Sequence, residues 1–231
     1  MASGVISDFA EVVALQSGDG MTRMLVHKDI ITKKSLRLQR ELVSQDLYRL
    51  ADWPATTYLA DSLDALKLYV TWCYTGSVSE DVTRRDSSGD WLIAFAEYKC
   101  GLWLLDAQYA NAIMDKLMEQ DFDARTLIDH CCEMVQHGLE RLKIWQWYIH
   151  RLAAKISSDD LIRSGKEQKY CEPEGLPRVL LEDVLFEMTK CREQSEVSTA
   201  GPISADREKY HMSEETVEGF WEAWVTNEEV F

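Results

Sequence analysis

Basic charge is scarce in this chain. Its 231 residues carry 25 Lys and Arg against 40 Asp and Glu, a net charge of −15. Both halves are acidic: residues 1–120 hold 12 basic against 17 acidic side chains, and residues 121–231 hold 13 against 23. A binder of duplex DNA or RNA needs a basic face to neutralise phosphates, so no direct nucleic-acid contact is expected. Lys33, Lys34, Arg37 and Arg40 cluster locally, but they fit a solvated helix face better. No stretch is apolar for long enough to span a bilayer. The start, Met1-Ala2-Ser3-Gly4, has neither a basic cluster nor an apolar run, so no secretory signal and no membrane partner are expected. The compartment this implies is cytoplasmic or nuclear.

Paired cysteines are missing too. Cys73, Cys100, Cys131, Cys132, Cys171 and Cys191 form no Cys-x-x-Cys pair and no metal-ligand rhythm. They read as small buried apolar residues with reduced thiols. No Gly-rich phosphate loop and no nucleophile with its base appears. His27, His130, His137, His150 and His211 are scattered. His130 and His137 share one predicted helix, seven residues apart, but no third ligand accompanies them. Asp129-His130-Cys131-Cys132 is superficially similar to the palmitoyltransferase signature, but it has a cysteine where a second histidine is required. No catalytic residue, cofactor or metal site is therefore expected. There is no internal repeat, so no propeller or solenoid follows.

What is present is an ordinary core-forming composition, 46% hydrophobic and 28% charged, enough for one or two domains. Residues 5–26 read as a β-hairpin, with Ser17-Gly18-Asp19-Gly20 as its turn. His27-Lys28-Asp29 ends the second strand and opens a helix, whose dipole Asp29 complements. Ser35 sits at a helix boundary. Leu36, Leu38, Leu42 and Val43 form the apolar stripe of a second helix, which Asp52-Trp53-Pro54 breaks. Thr56 to Leu59 is expected as a third strand. Ser62 is an N-cap for a helix over 63–74, with Leu63, Leu66, Val70 and Cys73 at helical spacing and Gly76 as its stop. Trp72 and Tyr74 are expected in the core. Residues 79–90 read as a surface loop, followed by helices over 91–98 and 105–117.

From Met24 to Val78 these pieces have a familiar order. The apolar-Val26-His27-Lys28 step, the helix holding Ser35, the short strand, and the helix ending in Trp72-Cys73-Tyr74-Thr75-Gly76 together resemble a BTB/POZ domain of the divergent fungal type. The resemblance spans about residues 6–120. Tyr98-Lys99-Cys100-Gly101-Leu102 is similar to the family's tyrosine, small-residue linker and leucine rhythm. Arg37 departs from the pattern, which often has an aromatic there. The resemblance implies an α+β fold: a small three-stranded sheet packed with an α-helical cluster, followed by an all-α C-terminal extension. It also implies a protein-interaction module that dimerises with itself or meets a cullin-type scaffold. It gives His27, with Lys28 beside it, a structural place at the strand-to-helix junction. Asp8 lies where family members carry a Ser-Asp pair near the dimer seam, and it reads equally as an exposed or capping carboxylate. Val78-Ser79-Glu80 matches an apolar-x-Glu triplet with which some members contact a cullin, although three residues also recur by chance.

Beyond Asp121 only helices are expected. One covers 125–137 and stops at Gly138. The next covers 139–156, with Leu142, Trp145, Ile149, Leu152 and Ile156 as a core stripe and Arg141, Lys143, Arg151 and Lys155 facing away. A connector to Pro177 leads into a helix carrying Val179, Leu180, Leu181, Val184, Leu185 and Met188. Residues 195–206 have linker composition. Ser213 is expected to cap a last short helix, and Phe220, Trp221, Trp224 and Val225 to dock back on the body or on a partner. The organisation expected is residues 6–120, a helical extension 121–194, and a linker with a docking helix 195–231. The function expected is an assembly or adaptor protein without its own catalytic activity. A transcription-associated scaffold working through a DNA-binding partner is the alternative, and an enzyme lacks every motif that would carry it.

Overall fold

A computed structural model of the chain describes residues 11–16, 23–42, 47–49, 63–83, 92–136, 138–140, 142–156, 176–195 and 207–219. The described residues gather into two compact units. One lies within Met1–Ile113 and Met212–Phe231, the other within Met114–His211. The class is α+β.

The first unit begins with strands β1 (Val12–Gln16) and β2 (Arg23–His27). They pair antiparallel, from Val12 opposite His27 to Gln16 opposite Arg23, as the hairpin reading expects. Its turn lies outside the described residues. Alternation decides the faces: Val13, Leu15 and Val26 point inward and are buried, while Val12 and Leu25 point outward. Each buried aliphatic contributes roughly 1.5–3 kcal/mol, which fixes the register. Two short helices follow, α1 (Lys28–Thr32) and α2 (Leu36–Glu41). Ser35 is the N-cap of α2: its Oγ accepts from Leu38 N–H at 3.0 Å.

The third strand corrects the sequence reading. Strand β3 is Leu47–Arg49, parallel to β1, with Ala14 opposite Leu47, and the sheet order is β2-β1-β3. The sequence reading places that stretch in the second helix, which Asp52-Trp53-Pro54 breaks. Helix α2 instead closes after Glu41, with Leu42 N–H bonded to Leu38 O at 2.9 Å. A three-residue strand is too short for its periodicity to be read. The strand expected at 56–59 lies outside the described residues.

Helix α3 (Leu63–Thr75) buries Leu66, Tyr69, Trp72 and Cys73 and stops at Gly76, whose φ of 66° lets its N–H close onto Trp72 O at 2.7 Å. Ser62, expected as its N-cap, lies outside the described residues. Residues Glu80–Thr83 form a 3-10 turn with Val82 buried, where the sequence suggests only loop.

Helix α4 (Ile93–Trp103) runs straight through the segment read as a small-residue linker. Gly101 is helical, and the actual turn is Leu104 to Asp106 before α5 (Ala107–Met118). In that turn Leu105 takes a positive φ of 53°, and Asp106 N–H bonds to Gly101 O at 2.8 Å. The glycine is there for α5 rather than for the turn: a Cβ on Gly101 would lie 2.9 Å from the backbone nitrogen of Ala110.

The second unit is helical in its described residues. Helix α6 (Ala124–Gln136) starts at Asp123, whose carboxylate accepts from Thr126 N–H at 2.7 Å. It ends at Gly138, with φ 64° and Leu139 N–H bonded back to Met134 O at 2.9 Å. Helix α7 (Lys143–Lys155) buries Ile144, Trp147, Tyr148 and Ala153 besides the expected Trp145, Ile149 and Leu152. Arg151 and Lys155, expected to face away, both hold the carboxylate of exposed Asp121. Helix α8 (Arg178–Ser195) buries Leu180, Val184 and Met188, while Leu185 and Phe186 stay exposed. Trp145 Nε1–H donates to Asp183 Oδ2 at 2.7 Å, joining α7 to α8.

Replacing Gly101 with Ala gains about 1 kcal/mol of helix propensity but forces a backbone clash costing about 1–3 kcal/mol. Net destabilisation is expected, read as a lower urea midpoint at unchanged slope.

Candidate protein-interaction surface

The two ends of the Met24–Val78 stretch meet. Tyr74, in the last turn of α3, places its hydroxyl 3.0 Å from His27 N and 2.7 Å from His27 Nδ1. The hydroxyl accepts from the backbone N–H and shares a second hydrogen bond with the ring nitrogen Nδ1. The rings also pack edge to face, with centroids 5.8 Å apart. Here Tyr74 departs from the sequence reading: it is 45% exposed, not core. It shares an exposed stripe of α3 with Lys67, Thr71 and Thr75, opposite the buried Leu66, Tyr69 and Trp72. That spacing was available in the sequence and is the signal that locates it.

Around this latch lies the outer face of the hairpin. Val12 stands opposite His27 and Ala14 opposite Leu25, so these four share one face. Leu25 is 72% and Val12 46% exposed. Lys28 extends to Glu11, Nζ to Oε1 at 3.0 Å, and its N–H bonds Glu11 O at 2.7 Å. The surface is therefore an apolar centre, Val12, Leu25 and Tyr74, with charged residues at its edge. Of the other residues singled out from sequence, Val78 is half-buried and Glu80 is exposed at the start of the 3-10 turn. Asp8 lies outside the described residues.

The buried side of α3 meets a polar cluster. Asp106 Oδ2 accepts from Tyr69 Oη–H and Trp72 Nε1–H of α3, both at 3.2 Å, and its Oδ1 accepts from Tyr109 N–H at 2.9 Å. Burial raises its carboxyl above the usual range, and the three hydrogen bonds pull it back. Glu97 of α4 is fully buried and accepts from Tyr109 Oη–H, while its Oε1 has no hydrogen-bond partner among the described residues. Burial holds that carboxyl well above the usual carboxylate range. A charged carboxylate with a bare oxygen in this environment is costly, so the surroundings favour the protonated form of Glu97. Cys73 and Cys100 sit nearby, and burial pushes Cys73 up to about 12 and raises Cys100 too. Ser35, expected as a boundary residue, also donates from Oγ to Leu104 O at 2.5 Å, tying α2 to the end of α4.

The described histidines of the second unit occupy local pairs. His130 Nδ1 meets Tyr148 Oη at 3.1 Å under the edge of Phe122. His150 lies between Tyr210 Oη at 2.7 Å and Glu187 Oε1 at 3.2 Å, and burial lowers its pKa. His211 Nε2 meets Asp115 Oδ1 at 2.9 Å. Burial raises the thiol of Cys131. His137 lies outside the described residues, and no metal-holding group of His, Cys, Asp and Glu occurs among those described. No helix among them is long and apolar enough to cross a membrane.

Compared with known proteins, the chain matches no family model, and no curated protein matches it in sequence.

Two outcomes are expected. Tyr74→Phe removes two hydrogen bonds at a wet site. It should cost about 0.5–1.5 kcal/mol by denaturant titration and speed hydrogen exchange at the His27 amide. Glu97 holds its proton more tightly folded than unfolded. The stability that depends on this is complete below the unfolded carboxyl value of about 4.3 and falls as pH rises toward the folded value. As pH rises above about 5 the wild type should therefore lose more stability than Glu97→Gln, measured by thermal unfolding at each pH.

Proposed function

We propose that the chain is a BTB/POZ-like protein-interaction module that assembles with itself through the outer face of its hairpin, an adaptor or assembly protein of the cytosol or nucleus. The observation that carries this reading is the exposed apolar centre of Val12, Leu25 and Tyr74, built on the stretch that carries the resemblance. Exposed large apolar side chains on a sheet face are a cost in water unless a partner covers them. The element order gives further support. The antiparallel hairpin, the helix capped by Ser35, α3 ending in Trp72-Cys73-Tyr74-Thr75-Gly76, and the paired helices α4 and α5 follow the order that the resemblance implies. His27 belongs to the face, with Lys28 beside it on the following helix. In this reading Val78 and Glu80 are the contact for a scaffold of the cullin type.

Light scattering during size-exclusion chromatography tests this. The wild type should approach twice the 26.6 kDa chain mass as its concentration rises. Leu25→Lys, a surface change worth within about 0.5 kcal/mol of stability, should remain monomeric while its melting temperature holds. A strict monomer for the wild type at every concentration would sink self-assembly through this face.

A further inference from the structure

Strand β2 lies at an edge of the sheet, because the order is β2-β1-β3. The direction of its backbone groups follows from one bond. Lys28 N–H donates to Glu11 O at 2.7 Å, one step beyond the Val12–His27 pair. Hydrogen-bonded and non-bonded pairs alternate along an antiparallel ladder. Val13 with Val26 and Leu15 with Met24 are therefore bonded pairs, while Val12 with His27, Ala14 with Leu25 and Gln16 with Arg23 are not. The N–H and C=O of Arg23, Leu25 and His27 thus point away from β1, toward the outer edge. His27 agrees with this phase, since its outward N–H is the one that meets Tyr74 Oη at 3.0 Å.

That bond also closes one end of the edge. The His27 N–H is taken by Tyr74, and its carbonyl opens α1, of which His27 is the N-cap. Arg23 and Leu25 are left, and among the described residues no strand pairs with them on that side. A strand edge with open backbone groups is a template for another strand.

We propose that the strand it takes is β2 of a second copy, antiparallel, about a two-fold axis passing at Met24. This deepens the self-assembly reading above and rests on it. An antiparallel copy of one strand is its own complement about such an axis. With the axis at Met24, Arg23 of each copy exchanges N–H and C=O bonds with Leu25 of the other, so every outward group of these residues is used. A ladder centred on Leu25 would instead set Arg23 against His27, whose groups are already engaged, and would keep only the Leu25 pair. Tyr74 stops the ladder just past Leu25, and in a second copy the same bond stops it at the same place, so the two open edges match in length. The Met24 register also sets the two Leu25 side chains on a diagonal of the outer face, about 7–8 Å apart and within reach of each other. Leu25 is the most exposed large apolar side chain among the described residues, and the pairing gives it a neighbour.

Residue-resolved hydrogen exchange on the full chain tests this, at one concentration where light scattering reads monomer and one where it reads dimer. In the dimer the amides of Arg23 and Leu25 should exchange at least about tenfold more slowly than in the monomer. The His27 amide, bonded to Tyr74 in both states, should change by less than about twofold. As a second readout, Leu25→Pro removes an outward N–H that the hairpin does not use, and should give a folded monomer. Leu25→Met keeps that N–H and should still dimerise. Dimers whose Arg23 and Leu25 amides exchange as fast as in the monomer overturn the edge pairing and leave self-assembly through the face standing. A wild type that is monomeric at every concentration overturns the self-assembly reading, and the pairing with it. A Leu25→Pro chain that melts cooperatively and dimerises like the wild type also overturns the pairing. If that variant does not fold, the wild-type exchange rates decide alone.

Discussion

The first unit depends on one carboxylate. Asp106 caps α5 through Tyr109 N–H and holds Tyr69 and Trp72 of α3 with its other oxygen, so a single buried group fixes two helices against each other. An acid this deeply buried is costly unless its lone pairs are used, and here three donors use them. The arrangement demands a short, tight α4–α5 turn, because Asp106 must arrive at the start of α5 already facing α3. Leu105 adopts its left-handed conformation in that turn, and Gly101 lets the backbone of α5 pass at close range.

From this centre the constraint spreads outward. Leu104, next in the turn, offers its carbonyl to Ser35, which places α2. Helix α3, gripped by Asp106 on its buried side, presents Tyr74 on its opposite stripe to His27 at the end of β2. The hairpin is thereby held at one end by a polar latch, with its inner face in the core and its outer face open. The second unit has polar side chains buried among aromatic ones in the same way, with His130 beside Tyr148 and Trp145 bonded to Asp183.

Much of this was legible residue by residue. The hairpin strands alternate, Ser35 and Ser213 cap helices, and Gly76 and Gly138 end them, each through a preference that acts over three or four residues. Helix α4 was harder. Ile93 to Trp103 is apolar almost all round and buried nearly throughout, so no periodic face marks it, and Gly101 inside it imitates a break. Strand β3 is too short to announce itself, and its partner β1 is more than thirty residues away in the chain. Tyr74 was misplaced because an aromatic near a tryptophan suggests core, although the stripe of Lys67 and Thr71 locates it outside.

The sequence by itself determined where most helices start and stop and where the two strands of the hairpin run. Those properties follow from local sterics, hydrogen-bonding caps and periodicity, all of which act between near neighbours. Only the tertiary structure decided that Asp106 is a hub, that Glu97 is buried against Tyr109, that Gly101 admits a helix, and that Met212 returns to Asn111 across 101 positions of sequence. Such contacts exist only when packing brings distant segments within a few ångströms, where burial removes water and makes each unpaired polar atom costly.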